Sequence, residues 1–306
     1  MPSPGSCRKL PNSPAGPWSS TSLAEATRMS NRWLVLMANS GSDRLRALFS
    51  ISRDEDRAVL LPYLTAGIPT VDASVELFVA MADAGADGFE VGIPYADPLM
   101  DGPVIMRAGE QALDAGVTVP VALEVVRRVV DETGKAVLVM TYVNPVLRRG
   151  IDTFFGDVAT AGAAGVIIAD LPVDEAEPFL AAAHEVAVGM ALFVSPMTSA
   201  ARLDSVISCG PDFVYGIAEV GVTGERTEAS SNVGALAESI RAKSEVPIVF
   251  GVGISTPVQA HAAALHGDGV IVGSAIVRRV LDAATPDAAR ESLSVFVAEL
   301  AAAMSR

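Results

Sequence analysis

Lysine, histidine and cysteine are scarce in this chain, and each scarcity removes a class of chemistry. Three lysines, Lys9, Lys135 and Lys243, stand among 306 residues. None falls where a strand pattern ends, which argues against a Schiff-base aldolase, whose amine must reach the reacting carbonyl. Of the three histidines, His184 and His261 fall in helical patterns and His266 just ahead of the last strand pattern. No His/Asp/Glu group has the spacing of a metal-ligand set, so no metal site is expected. Two cysteines, Cys7 and Cys209, are too few for a disulfide framework and point to a reduced, cytoplasmic protein. Cations are short as well. Twenty-two Lys+Arg against 36 Asp+Glu leave a net charge of −14, which excludes a nonspecific nucleic-acid binder. The run Trp33-Leu34-Val35-Leu36-Met37 is too short for a membrane span or a signal-peptide core.

What remains is a chain that is 50% hydrophobic, enough for one large or two small cores. Residues 1 to 36 are rich in Ser and Pro, with Glu25 as their one acid. They read as a disordered tail, or as translation begun upstream of a start at Met29 or Met37; a transit peptide is the weaker alternative. The expected division is an extension over 1–42 and a catalytic domain over 43–306. From Val59 onward, short apolar runs alternate with helical patterns. Strands are expected at 59–64, 88–91, 137–140, 166–169, 190–194, 213–217, 248–250 and 270–272. Near-continuous apolar runs suit parallel strands buried on both faces. Helices are expected at 72–84 behind a Thr70 cap, and at 121–131, 175–186, 198–208, 233–243 and 257–265. Eight strand–helix units fit a TIM (β/α)8 barrel better than an open doubly wound sheet, whose Gly-rich fingerprint is missing after the first strand. Leu45, Leu48 and Phe49 have helical spacing and suggest a further helix plugging the barrel bottom.

Barrel chemistry gathers at the C-terminal ends of the strands. There Glu90 interrupts a strand that should be wholly buried. Burial raises a carboxyl pKa, which suits a proton carrier working near neutral pH. Asp101 follows in the next loop and can return across the mouth. The plainer reading has Glu90 hydrogen-bonded to neighbouring backbone and Asp101 capping the following helix. Three glycine motifs, Gly221-Val222-Thr223-Gly224, Gly251-Val252-Gly253-Ile254-Ser255 and Gly273-Ser274-Ala275-Ile276, follow the last three strands. Their backbone N–H groups, with a short helix starting at Ser274, can cradle a phosphate without a lysine.

The segment Glu90-Val91-Gly92-Ile93-Pro94-Tyr95-Ala96-Asp97-Pro98-Leu99-Met100-Asp101-Gly102-Pro103 resembles the signature of the tryptophan synthase alpha chain. Tyr63-Leu64-Thr65-Ala66-Gly67, Met140-Thr141-Tyr142-Val143-Asn144-Pro145 and Ala169-Asp170-Leu171-Pro172 support it, as do the glycine motifs, and the resemblance spans about residues 43–282. It implies a carbon–carbon lyase that cleaves indole-3-glycerol phosphate to indole and glyceraldehyde 3-phosphate in tryptophan biosynthesis. It also implies a beta-chain partner in an alpha2-beta2 complex, with indole passing through a tunnel to pyridoxal phosphate held by the beta chain; this chain would hold no cofactor. Carried over by position, Glu90 and Asp101 are catalytic. Tyr215, Met140, Ile167, Val194 and Thr223 would hold the indole-bearing substrate, and Gly224, Gly253, Gly273 and Ser274 its phosphate. Residues 94–98, 144–145 and Pro172 would face the partner, and 224–231 would form a lid.

Two positions depart from the pattern. Glu219 sets a carboxylate near the phosphate, and Ile68 precedes Pro69 where an acidic or aromatic residue is more usual. Other readings of the chain are a stand-alone lyase releasing free indole, a silent barrel kept as a regulatory subunit, and an isomerase of a sugar-phosphate amine.

Overall fold

The structure, a computed structural model, describes residues 40–217, 232–251 and 253–306. Glu219, Thr223, Gly224, the expected lid and the N-terminal segment lie outside the described residues.

Eight parallel strands close into a barrel in chain order. They are β1 (Val59–Thr65), β2 (Gly88–Gly92), β3 (Ala136–Thr141), β4 (Gly165–Ile168), β5 (Gly189–Val194), β6 (Phe213–Ile217), β7 (Ile248–Gly251) and β8 (Gly269–Val272). Each matches its expected segment to within one residue at either end. Val59 of β1 aligns with Gly269 of β8 and closes the ring. The described helices are α1 (Gly41–Asp54), α2 (Val71–Asp83), α3 (Pro103–Asp114), α4 (Val119–Thr133), α5 (Val143–Arg149), α6 (Ile151–Thr160), α7 (Glu177–Glu185), α8 (Ala200–Ser208), α9 (Asn232–Arg241), α10 (Pro257–Ala264), α11 (Ser274–Leu281) and α12 (Pro286–Ala302). Thr70 caps α2 by accepting the Ala73 N–H, as its position before an apolar-periodic run suggests. The helices α5, α6 and α12 come in addition to the expected set; α12 packs on α2 and α11. Among the described residues no helix is long and apolar enough to cross a membrane.

The plug helix forms as expected. Leu45, Leu48 and Phe49 of α1 are buried. A Cβ at Gly165 or Gly189, where β4 and β5 begin, would lie 2.9 or 2.4 Å from Leu45 Cδ1, so these strands start on glycine to admit the plug. Phe49 packs on Phe213 at the start of β6, ring centroids 5.7 Å apart.

A repeated aspartate pins the same end. Asp87, Asp212 and Asp268 stand just before β2, β6 and β8, and their carboxylates accept the backbone N–H of Leu60, Met190 and Ile248 on the preceding strand. Each Asp N–H donates back to the carbonyl of the same residue. Arg57 forks onto Asp87 with two bonds of 2.7 Å, and Arg306 reaches the Gly267 carbonyl at 2.6 Å. The N-terminal end of the barrel is thus a hydrogen-bonded polar seam over an apolar plug, and the cavity that holds the expected carboxylates opens at the C-terminal end.

Candidate active site

Strand alternation decides which side chains reach that cavity. Tyr63 of β1 aligns with Glu90 of β2, Glu90 with Leu138 of β3, Met140 with Ile167 of β4, and Phe193 of β5 with Tyr215 of β6. Aligned residues of parallel strands point the same way, so this row faces the barrel interior. At its top lies a small cavity of about 70 Å³ lined by Tyr63, Glu90, Asp101, Ile105, Met140, Tyr215, Gly253, Ile254, Ile271, Gly273 and Ser274.

Glu90 is 4% exposed, and among the described residues nothing hydrogen-bonds its carboxyl. Burial, and then the charge of Asp101, push its pKa from 4.5 to about 8. The first plain expectation, a Glu90 tied to backbone, is therefore not what the fold does. Asp101 is brought over the mouth by the loop after β2. Its N–H bonds the Pro98 carbonyl at 2.9 Å, and Pro103 then opens α3 behind a Gly102 cap. Asp101 makes no hydrogen bond to that helix among the described residues, so it does not serve as the cap either. Burial raises the Asp101 pKa to about 6, opposed by the neighbouring Tyr142 hydroxyl. That hydroxyl has no partner within hydrogen-bonding geometry, so its approach to Asp101 is looser than a full hydrogen bond. The surrounding loops are knit together: Tyr95 stacks on Tyr142 with centroids 5.2 Å apart, Asn144 Nδ2 donates to Tyr95 Oη at 2.9 Å, and the Val143 N–H donates to Asp170 at 2.7 Å.

The opposite wall carries a helix N-terminus and a glycine turn. Gly273 is the N-cap of α11 and Ser274 its first residue, so the helix turns its positive end to the cavity. Gly253 has φ +83°, a conformation that glycine adopts without strain.

Of the expected site residues, the cavity brings together Glu90, Asp101, Met140, Tyr215, Gly253, Gly273 and Ser274. Ile167 faces the interior but is not part of the cavity wall. Val194 is a correction. It aligns with Gly216, not Tyr215, so it points outward to the helix layer. A strand flips sides at every residue, and the interior position is Phe193, which lies against Tyr215 with centroids 4.7 Å apart. Tyr63, Ile105, Ile254, Ile271 and Tyr142 are site residues that sequence reasoning missed. One signal was available: all four tyrosines of the chain, Tyr63, Tyr95, Tyr142 and Tyr215, gather at this mouth. Glycine makes room for two of them. A Cβ at Gly92 would lie 2.1 Å from Tyr63 Oη, and one at Gly251 would lie 2.0 Å from Tyr215 Oη.

This geometry agrees with what the chain resembles. The family model described as tryptophan synthase alpha chain matches residues 49–305. The alpha chain of Salinispora tropica is 44% identical over 259 residues, covering 85% of this chain and 97% of that one. The alpha chain of Solibacter usitatus is 39% identical over 257 residues, covering 84% and 96%. Among solved structures, Mycobacterium tuberculosis tryptophan synthase superposes with a TM-score of 0.79 at 39% identity, covering 86% of this chain and 98% of that one. The Legionella pneumophila alpha subunit gives 0.74 at 29% identity, covering 87% and 98%. The chain belongs to the tryptophan synthase alpha chain family, the lyases that cleave indole-3-glycerol phosphate.

Proposed function

We propose that this chain performs the cleavage with Glu90 as proton carrier and Asp101 as its electrostatic partner. The observation that carries the reading is two buried carboxyls, Glu90 and Asp101, on one cavity, facing a helix N-terminus on the other wall. At neutral pH, Glu90 holds its proton and delivers it to C3 of the indole ring. Positive charge then grows on the ring nitrogen. Asp101, ionised above about pH 6, accepts the ring N–H and stabilises that charge as it forms. Glu90, now a carboxylate, takes the proton of the hydroxyl on the carbon attached to C3. The bond between that carbon and C3 breaks, its electron pair returns to the ring, and the hydroxyl carbon becomes an aldehyde. One proton is lent and one returned, so the products are indole and glyceraldehyde 3-phosphate. Enclosure of the site strengthens both interactions by excluding water.

In this reading Met140 and Tyr215 hold the indole ring, Gly253, Gly273 and Ser274 bind the phosphate, and Thr223 and Gly224 complete the site. The chain uses no cofactor of its own. A beta chain carrying pyridoxal phosphate is the partner, in an alpha2-beta2 assembly in the cytoplasm, and receives the indole. Leu99, Met100 and Met197, which are 82%, 41% and 77% exposed, stand in loops of the catalytic mouth and supply apolar surface for it.

The test is indole release from indole-3-glycerol phosphate by the full chain, alone and with a beta chain, beside a Glu90→Gln control. Release that is strong only with the beta chain and lost in the control supports the reading. Equal release by the chain alone points to a stand-alone lyase. No indole under either condition overturns the assignment.

A further inference from the structure

Tyr63 occupies the stretch of cavity between the two ends assigned above. At its root, a Cβ at Gly273 would lie 3.7 to 3.9 Å from Tyr63 Cδ1, Cβ and Cγ, so the ring starts beside the helix N-terminus that faces the phosphate. At its tip, the hydroxyl lies over Gly92 at the end of β2, on the strand that carries Glu90 and in register with it. The side chain therefore runs from the anion end to the carboxyl end along one wall. A substrate with phosphate at one end and indole at the other must lay its hydroxyl-bearing carbons along that same path.

The hydroxyl is fixed in place. Tyr63 Oη and Thr65 Oγ1 are 3.2 Å apart, and either can donate. Tyr63 is 7% exposed and Thr65 1%. When Thr65 donates, the Tyr63 proton is left to point into the cavity. When Tyr63 donates to Thr65, its oxygen lone pairs face the cavity instead. Phenylalanine would fill the same wall, so packing does not account for the oxygen, and no other polar partner is needed to seat it.

We propose that Tyr63, held by Thr65, hydrogen-bonds the hydroxyl on the reacting carbon of the substrate and orients it toward Glu90. This rests on the indole-3-glycerol phosphate reading above and adds to it a group that acts on the chain rather than on the ring or the phosphate. The bond matters most when the hydroxyl gives up its proton and the oxygen gathers charge, so its loss falls on kcat rather than on binding. The buried Tyr63 phenol is held neutral, with its pKa well above the usual value through burial and the charge of Asp101, as a donor to that oxygen requires.

The experiment compares wild type with Tyr63→Phe, Thr65→Val and Thr65→Ser, each as the full chain with a beta chain. Two probes are used. One is indole-3-glycerol phosphate. The other is 3-(indol-3-yl)propyl phosphate, which keeps ring and phosphate but has neither hydroxyl. Tyr63→Phe is expected to lower kcat about tenfold, with KM and the affinity for the hydroxyl-free analogue moving less than about twofold. Thr65→Val should fall in the same direction by about threefold, and Thr65→Ser should restore the rate. An unchanged kcat in Tyr63→Phe overturns the proposal, as does an equal loss of affinity for the analogue, which would make Tyr63 a packing wall. Should Tyr63→Phe fail to fold, the Thr65 pair decides by the same criteria. A wild-type chain that releases no indole overturns the underlying assignment, whereas an active wild type with an unaffected Tyr63→Phe overturns this inference alone.

Discussion

At the N-terminal end of the barrel, Asp87 lies 2.7 Å from the Arg57 guanidinium and accepts the Leu60 N–H. Three residues along the chain, midway up β2, the Glu90 carboxyl has no hydrogen bond or ion pair among the described residues. Asp212 and Asp268 accept a strand N–H in the same way, whereas Asp101 is buried with the Tyr142 hydroxyl as its polar neighbour. Aromatic residues divide in the same sense. Phe49 and Phe213 fill the bottom, while the tyrosines line the mouth. Satisfied polar groups stabilise one end. Unsatisfied ones at the other end hold protons that can be moved, and that arrangement costs stability.

The largest effect expected on this contrast is from Glu90→Gln, which keeps the shape and removes the titrating group. Indole release should fall about a thousandfold or more. The folded chain should gain about 1–2 kcal/mol at pH 8 to 9, read as a higher Tm. Folded Glu90 binds its proton more tightly than the unfolded chain does, so wild-type stability falls as pH climbs from 4.5 toward about 8. A variant that is dead and no more stable would break the contrast.

The opposite variant is Arg57→Met. Burial alone would lower the Arg57 pKa, but Asp87 and Glu55 outweigh it and hold it above the ordinary value. Removing the guanidinium strands a largely buried Asp87 and should cost about 3 kcal/mol by denaturant unfolding. Indole release per folded molecule should stay within about twofold of wild type. Adding Asp87→Leu should recover part of the loss, because no unpaired carboxylate then remains.

A smaller effect sharpens the account of the mouth. The pH profile of kcat/KM should be bell-shaped. It should rise as Asp101 ionises near about 6 and fall as Glu90 loses its proton near about 8, the two limbs belonging to the pair. Asp101→Asn should flatten the acid limb. The smallest effect separates neighbours on β5: Phe193→Leu should raise KM about threefold, while Val194→Ala should lower stability by about 1 kcal/mol and leave KM unchanged.

Most of the fold was legible because its signals are local. A buried parallel strand announces itself as a short apolar run, and α1 by the spacing of Leu45, Leu48 and Phe49. The carboxyl pair was legible for a related reason, since an acid inside an apolar strand has few plain explanations. Parity was harder to read. Whether Phe193 or Val194 faces the interior depends on the register between β5 and β6, a long-range property. Tyr63 was hidden by the same blindness: its alignment with Glu90 and its reach over Gly92 exist only once β1 and β2 pair. The aspartates before β2, β6 and β8 look like solvated turn residues until the strands they pin are in place.

The central claim is that burial at the mouth keeps Glu90 protonated at neutral pH. The most direct measurement is titration of its side-chain carboxyl carbon by NMR in glutamate-labelled protein, assigned by its loss in Glu90→Gln. The account predicts a midpoint of about 8. A midpoint at the ordinary 4.5 would contradict it, because Glu90 would then be a carboxylate at neutral pH with no proton to deliver.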